Sequence, residues 1–262
     1  MFEMIDEAQK SGMNVMADRY PFVYSSTNLG TIVPPPFDKI PLAKLCGRLK
    51  TDTACRAELV EALHARGRKD MDRVLLVNSP IKKHRPYYAK NMVEIGQMMG
   101  GISPQEAVVR LLASGRTPSA AFGSMNEDNL KRILAKPYVV CGSDSSIFAR
   151  NNKNGHPRAF GSFPLFFRMA SESCSYAEVI RRMTSLPAEK FNIRGRGVIA
   201  PGYFADMVLL DLKAYNSKAN FAAANRVPTG IKAVYVNGKL AYSPNSKAKT
   251  YRAGKVLRIK QG

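Results

Sequence analysis

The sequence predicts an α/β fold that gives way to an all-β tail, and three observations carry that expectation. An apolar, β-branched run, Tyr138–Cys141, follows a helix-like segment and ends at Gly142-Ser143-Asp144. Helix-start signals recur at Ser103-Pro104-Gln105-Glu106, at Asn126 followed by Glu127 and Asp128, and at Ser175 with Glu178. After Phe191 the texture changes to short β-type runs punctuated by Gly195, Gly197 and Pro201-Gly202.

In chain order, residues 2–11 read as a helix, with Phe2, Ile5 and Ala8 on one face, Lys10 in the last turn and Gly12 just past the end. Met13–Tyr20 reads as a strand that Pro21 stops. A helix that opens an α/β chain without a strand before it suggests that the sequence begins mid-fold. Residues 25–36 read as loop, with Pro34-Pro35-Pro36 a stiff polyproline stretch, and residues 39–67 as helical and basic. Val74–Val77 is a β-type run closed by Asn78-Ser79-Pro80. The helix opened by Ser103 shows an apolar face of Val108, Leu111 and Leu112. The one opened by Asn126 runs to Ala135, Pro137 stops it, and the Tyr138–Cys141 strand follows. The Ser175 helix runs through Met183, and its predicted buried face is Val179, Ile180 and Met183. In the tail, Ala205–Leu210 reads as a strand. Ala233–Val236 and Lys239–Tyr242 read as a hairpin over Asn237-Gly238, the pair that suits a type I′ turn. The boundary between the two regions is predicted near residue 195.

Composition excludes several classes. The 262 residues are 45% apolar, enough for one sizeable domain, and no stretch approaches the ~18 apolar residues of a membrane span. Glu3, Asp6 and Glu7 interrupt the N-terminus, so no secretory leader is read there and a cytoplasmic location is expected. Cys46, Cys55, Cys141 and Cys174 have no C-x-x-C spacing and read as free thiols. The histidines are His64, His84 and His156, without H-x-H or H-x-x-x-H spacing, so no complete zinc site forms locally. The net charge of +20 would suit an anionic partner, but the basic residues are scattered and Lys82-Lys83-His84-Arg85 is only a short run. No RNA- or DNA-reading motif accompanies them, which argues against a nucleic-acid role.

The candidate chemistry lies between Tyr138 and Arg158. A carboxylate, Asp144, stands at the mouth of a buried strand, and a His156-Pro157-Arg158 turn brings back a cation before Gly161-Ser162-Phe163-Pro164. Strand ends are where α/β folds build active sites. A turn-capping role for Asp144 is the competing reading at this level.

RGRGVIAPGYFADMVLLDL followed by GIKAVYVNGKLAY resembles the closing β segment of the amidohydrolase superfamily. Asp144 in GSD and the HPRAFGSFP stretch resemble the D-aminoacylase, or N-acyl-D-amino-acid deacylase, family; so do ADRYPFVYSST, DRVLLVNSP, AAFGSMNEDNLKRIL and RRMTSLPAEKFNI. The resemblance covers nearly the whole chain. It implies the C-terminal portion of a metal-dependent (β/α)8 barrel with an insertion over residues 1–194. Residues 195–262 would then be the C-terminal segment of a small β-sandwich domain. It implies a zinc-dependent hydrolase that cleaves the amide of an N-acyl-D-amino acid, with Asp144 binding metal and acting as general acid and base. Arg158 matches the arginine that grips the substrate α-carboxylate, Tyr20 and Ser26 match hydroxyl donors to it, and Met125 lines the side-chain pocket. Phe122 stands where the family often has Tyr, favouring a more apolar substrate. Without the resemblance, Tyr20 reads as a rim aromatic, Met125 as core and Arg158 as a loop cation. His156 reads as ordering its turn and not as a ligand.

The family's other metal ligands, an H-x-H pair, a bridging Cys and two more His, have no counterpart in this sequence. Zinc would therefore depend on an N-terminal part not present here, or on a separate chain supplying the rest of the barrel. The isolated 262-residue chain is expected to be inactive. Competing readings are another amidohydrolase, of hydantoinase or dihydroorotase type, and a non-catalytic basic remnant that binds anions.

Overall fold

The structure, a computed structural model, describes residues 2–146, 153–244 and 253–258. Helix α1 (Phe2–Lys10) opens the chain, and Gly12, at φ +86°, follows its end. Strand β1 (Ala17–Arg19) is shorter than the predicted Met13–Tyr20 run, because only these residues meet a partner strand. Strand β2 (Ser25–Asn28) occupies part of the stretch that the sequence predicts as loop. Its polar Ser-Ser-Thr-Asn text has no apolar alternation, and it is a strand only because another strand pairs with it. The proline triplet turns rather than running as a polyproline rod: short 3-10 segments flank a cis Pro35–Pro36 bond.

The single basic helix predicted over 39–67 is two, α2 (Leu42–Thr51) and α3 (Thr53–Arg66). Asp52 divides them, since its backbone is extended and its carboxylate accepts a hydrogen bond from the Cys55 N–H at 2.8 Å, capping α3. Strand β3 (Val74–Asn78) and helix α5 (Pro104–Leu112, with Ser103 as cap) agree with the sequence reading; α4 (Met92–Met98) lies between them. Strand β4 (Ser119–Phe122) is central in a sheet ordered β2-β4-β3, antiparallel to both neighbours.

Helix α6 (Glu127–Leu134) starts at its Asn126 cap and leads to strand β5 (Val139–Cys141), which pairs parallel with β1. The HPR segment, predicted as a turn, runs directly into helix α7 (Arg158–Ala170), and Arg158 is its first residue. Gly161 and Pro164 disguise this helix. An interior proline costs ~3 kcal/mol, which the complete burial of Phe166, Phe167 and Ala170 offsets. In α8 (Tyr176–Met183) the predicted buried face shifts: Ile180 is 38% exposed, and Arg182 is fully buried beside Val179. Helix α9 (Ser185–Lys190) leads to the tail. There β6 (Met207–Leu210, starting later than the predicted Ala205), β7 (Ile231–Val236) and β8 (Lys239–Tyr242) form an antiparallel meander. Asn237 and Gly238, at φ 48° and 76°, make the positive-φ pair that a type I′ turn requires.

Two cores result. One packs β3, β4 and helices α2 to α5 around Leu45, Leu59, Leu63, Ile95 and Leu111. The other packs β5 and helices α6 to α8 around Leu130, Val139, Phe166, Phe167 and Val179. Strands β1 and β5 are neighbours although the first core's whole lobe separates them in sequence. Parallel pairing puts the carboxyl end of each on the same side, so Tyr20 and Asp144 leave the sheet together. Among the described residues no helix is long and apolar enough to cross a membrane.

Candidate active site

Strand β5 delivers Asp144 three residues past its end, and the first turn of α7 delivers Arg158. Arg158 Nη1 lies 2.8 Å from Asp144 Oδ2; the Arg158 side chain is 12% exposed and that of Asp144 66%. Nη1 is sealed from solvent, and its contact with Asp144 lacks hydrogen-bond alignment. This is an ion pair with a donor still to be directed. Asp144 has φ +45°, a left-handed conformation that Asp adopts more readily than most residues. Together with Ser26, Asn78, Ser145 and His156, the pair lines a cavity of about 160 Å³.

His156 fixes the turn from which Arg158 springs. Its Nδ1 accepts the Arg158 backbone N–H at 3.1 Å, so the proton sits on Nε2, which donates to the Tyr24 carbonyl at 2.9 Å. Phe22 and Phe221 pack edge-on against the ring, with centroids at 5.3 and 5.0 Å. Burial pushes its pKa down to about 4, although the bond to Tyr24 pulls the other way. With both nitrogens engaged, His156 is an anchor and has no lone pair to offer a metal.

Tyr20 supplies the wall beside the pair: its ring lies 5.0 Å from the Arg158 guanidinium and 4.2 Å from that of Arg19. Ser26, on β2, lines the cavity and donates its hydroxyl to the Ala120 carbonyl at 3.2 Å. The structure thus gathers Asp144, Arg158, Tyr20 and Ser26. Phe122 and Met125 lie elsewhere. Phe122 is buried in the first core with Arg68 over its ring at 6.0 Å. Met125 puts its sulfur against the Arg19 guanidinium and its carbonyl accepts from Arg73 Nη2 at 3.1 Å. Asn78 and Ser119, from the intervening lobe, reach the cavity without having been singled out by sequence. Asn78 ends the Val-Leu-Leu-Val run, and an amide at a strand's mouth is the signal that was available.

Zinc needs three or four nitrogen, sulfur or carboxylate donors. Among the described residues no three His, Cys, Asp or Glu side chains converge. Around Asp144 the cavity offers hydroxyls, an amide and a histidine whose nitrogens are both taken. These residues by themselves do not fit a zinc ion.

Comparison with known proteins gives this geometry a family. An N-acyl-D-aspartate deacylase of Alcaligenes xylosoxydans xylosoxydans is 32% identical over 160 residues, which is 60% of this chain and 30% of that protein. A D-aminoacylase of the same organism is 30% identical over 174 residues, 64% of this chain and 34% of that protein. The chain therefore spans about a third of the length of these relatives. Among solved structures, an N-acyl-D-glutamate deacylase of Bordetella bronchiseptica, complexed with zinc and a phosphonate mimic of the tetrahedral intermediate, superposes with a TM-score of 0.70. It is 27% identical, and the match covers 98% of this chain and 45% of that one. Residues 53–242 match the amidohydrolase family. The chain belongs to the amidohydrolase family, and within it its likeness is to the D-aminoacylases.

Proposed function

We propose that this chain carries the proton-transfer and carboxylate-binding half of an N-acyl-D-amino-acid deacylase active site. The observation that carries the reading is the Asp144–Arg158 pair at 2.8 Å, held at the mouth of a small cavity by a strand end and a helix start. Before substrate arrives, Asp144 neutralises Arg158. A substrate α-carboxylate competes for the guanidinium, which offers it paired N–H donors, while Tyr20 and Ser26 flank the group. Asp144 is then released to accept a proton from the attacking water and to pass it to the amide nitrogen as the C–N bond breaks. The products are a carboxylate and a D-amino acid.

The names of the relatives, N-acyl-D-aspartate deacylase, D-aminoacylase and N-acyl-D-glutamate deacylase, support the substrate class. Zinc is proposed for the complete enzyme, by analogy with the Bordetella structure, with Asp144 the donor these residues contribute. The residues N-terminal in the fold would close the barrel and cover the apolar surface that β6 leaves open, where Val208 and Leu209 are 54% and 60% exposed. They would be supplied by further polypeptide, in the same chain or another.

Binding of N-acetyl-D-methionine tests the reading. By calorimetry, Arg158→Met should weaken it at least about tenfold, whereas Asp144→Asn should leave it unchanged or tighter, since it removes the competitor for Arg158. Unchanged affinity in Arg158→Met would overturn the assignment. In a hydrolysis assay with added zinc, the 262-residue chain alone should release no D-methionine above background. Turnover well above it would mean that a complete site forms from these residues.

A further inference from the structure

The short basic run Lys82-Lys83-His84-Arg85 plays no part in the site above, and the structure divides it. Lys82, Lys83 and Arg85 are exposed, whereas His84 is only 2% exposed. The Ile81 N–H donates to Ser79 Oγ at 3.1 Å, and that hydroxyl lies 2.8 Å from His84 Nδ1. The Ser79 oxygen already accepts, and giving its own proton to Nδ1 leaves no donor idle. The imidazole, kept neutral by burial, then carries its proton on Nε2. Nε2 has no hydrogen-bond partner among the described residues and is not sealed from solvent. His84 also lines a cavity. That cavity, about 350 Å³, is bounded by Lys83, His84, Tyr87, Met99 and Arg110, and shares no lining residue with the cavity at Asp144.

We infer that His84, Lys83 and Arg110 form a second binding site, for the oxyanion of a small phosphate- or carboxylate-bearing molecule. The N–H of a buried ring and the exposed Lys83 ammonium beside it would give an oxyanion one fixed and one mobile donor. Arg110 adds a third, partly neutralised by Glu106, which takes its Nε and Nη2 at 3.0 and 2.5 Å. Tyr87 and Met99 form the apolar wall. The cavity exceeds a bare phosphate, leaving room for an organic body beside it.

The test is a ¹⁵N-histidine NMR titration of the 262-residue chain at constant ionic strength, with inorganic phosphate in one arm and acetate in the other. The His84 ring should show the Nε2–H tautomer before ligand is added. Its signal should shift and saturate at millimolar ligand, in the range of about 1–10 mM. The arm that saturates first identifies the oxyanion. Lys83→Ala should weaken binding about fivefold or more, and His84→Gln should abolish the saturable shift read on neighbouring amides. Lys82→Ala and Arg85→Ala, which remove equal charge outside the cavity, should leave it unchanged. An Nδ1–H tautomer, absence of a saturable shift in both arms, or equal weakening by Lys82→Ala and Lys83→Ala would overturn the site. If His84→Gln fails to fold, the Lys82 and Lys83 comparison still decides.

Discussion

Arg182→Leu is expected to lower the stability of the fold by about 3 kcal/mol, or roughly 10 °C in melting temperature. Arg182 is wholly buried, and among the described residues it forms no ion pair with a carboxylate. Its Nε donates to the Val139 carbonyl and its Nη2 to the Leu134 carbonyl, both at 2.7 Å; Nη1 approaches the Cys174 sulfur at 3.6 Å, and the guanidinium lies 5.0 Å from the Phe166 ring. The side chain therefore ties the end of α6 to β5. Leucine would fill the stem's volume but leave two buried carbonyls without a donor, each worth ~1–3 kcal/mol. Removing a buried charge returns part of that cost, since burial already pushes the Arg182 pKa down. Arg182→Lys, with one donor head, should fall between the two. Urea denaturation with far-UV circular dichroism measures the series, and a Leu variant as stable as the parent would refute this account. Because β5 carries Asp144, the loss should also loosen the Asp144–Arg158 pair.

Acidification below about pH 6.5 should destabilise the protein. His156 has a pKa near 4 in the fold against an ordinary 6.5, so between those values the unfolded chain binds a proton that the folded chain refuses. The stabilisation is fully present above about pH 6.5 and is lost as pH falls toward about 4, by about 3 kcal/mol at 1.36 kcal/mol per pH unit. His84, also held down by burial, acts in the same direction. Asp52 and Glu94, whose backbone hydrogen bonds hold them below the ordinary carboxylate range, lose their contributions only at lower pH. Urea midpoints should therefore fall between about pH 6.5 and 4.5, and His156→Gln should flatten most of that slope. A midpoint constant across this window would show that the ring is not held neutral. Protonation would also replace the acceptor that Nδ1 offers the Arg158 N–H with a donor. The turn that brings Arg158 to Asp144 should be released in the same range.

Local signals in the sequence suffice where one segment contains all its own determinants. Ser103, Asn126 and Ser175 cap helices because a side-chain oxygen three residues upstream of an N–H needs nothing else. The Asn237-Gly238 turn follows from backbone preference alone. Local signals do not suffice where a distant partner decides. Ser25–Asn28 is a strand because β4 pairs with it, α7 is a helix despite Pro164 because a core accepts its phenylalanines, and Arg182 displaces Ile180 because two carbonyls wait for it.

The candidate site divides the same way. Asp144, Arg158, Tyr20 and Ser26 were legible as residue types in a recognisable text, and so was the amidohydrolase family to which the chain belongs. Their meeting was not. Asp144 reaches Arg158 because β1 and β5 align in parallel across an intervening lobe, and because His156, pinned to the Tyr24 carbonyl, sets where α7 begins. Phe122 and Met125 are engaged elsewhere, in the first core and against Arg19, which a match in the sequence alone does not reveal. Sequence by itself determined the family, the caps and turns, and which residue types stand at the candidate site, because those depend on near neighbours. Only the tertiary structure decided which of those groups touch, because contacts between distant residues are set by packing and strand pairing.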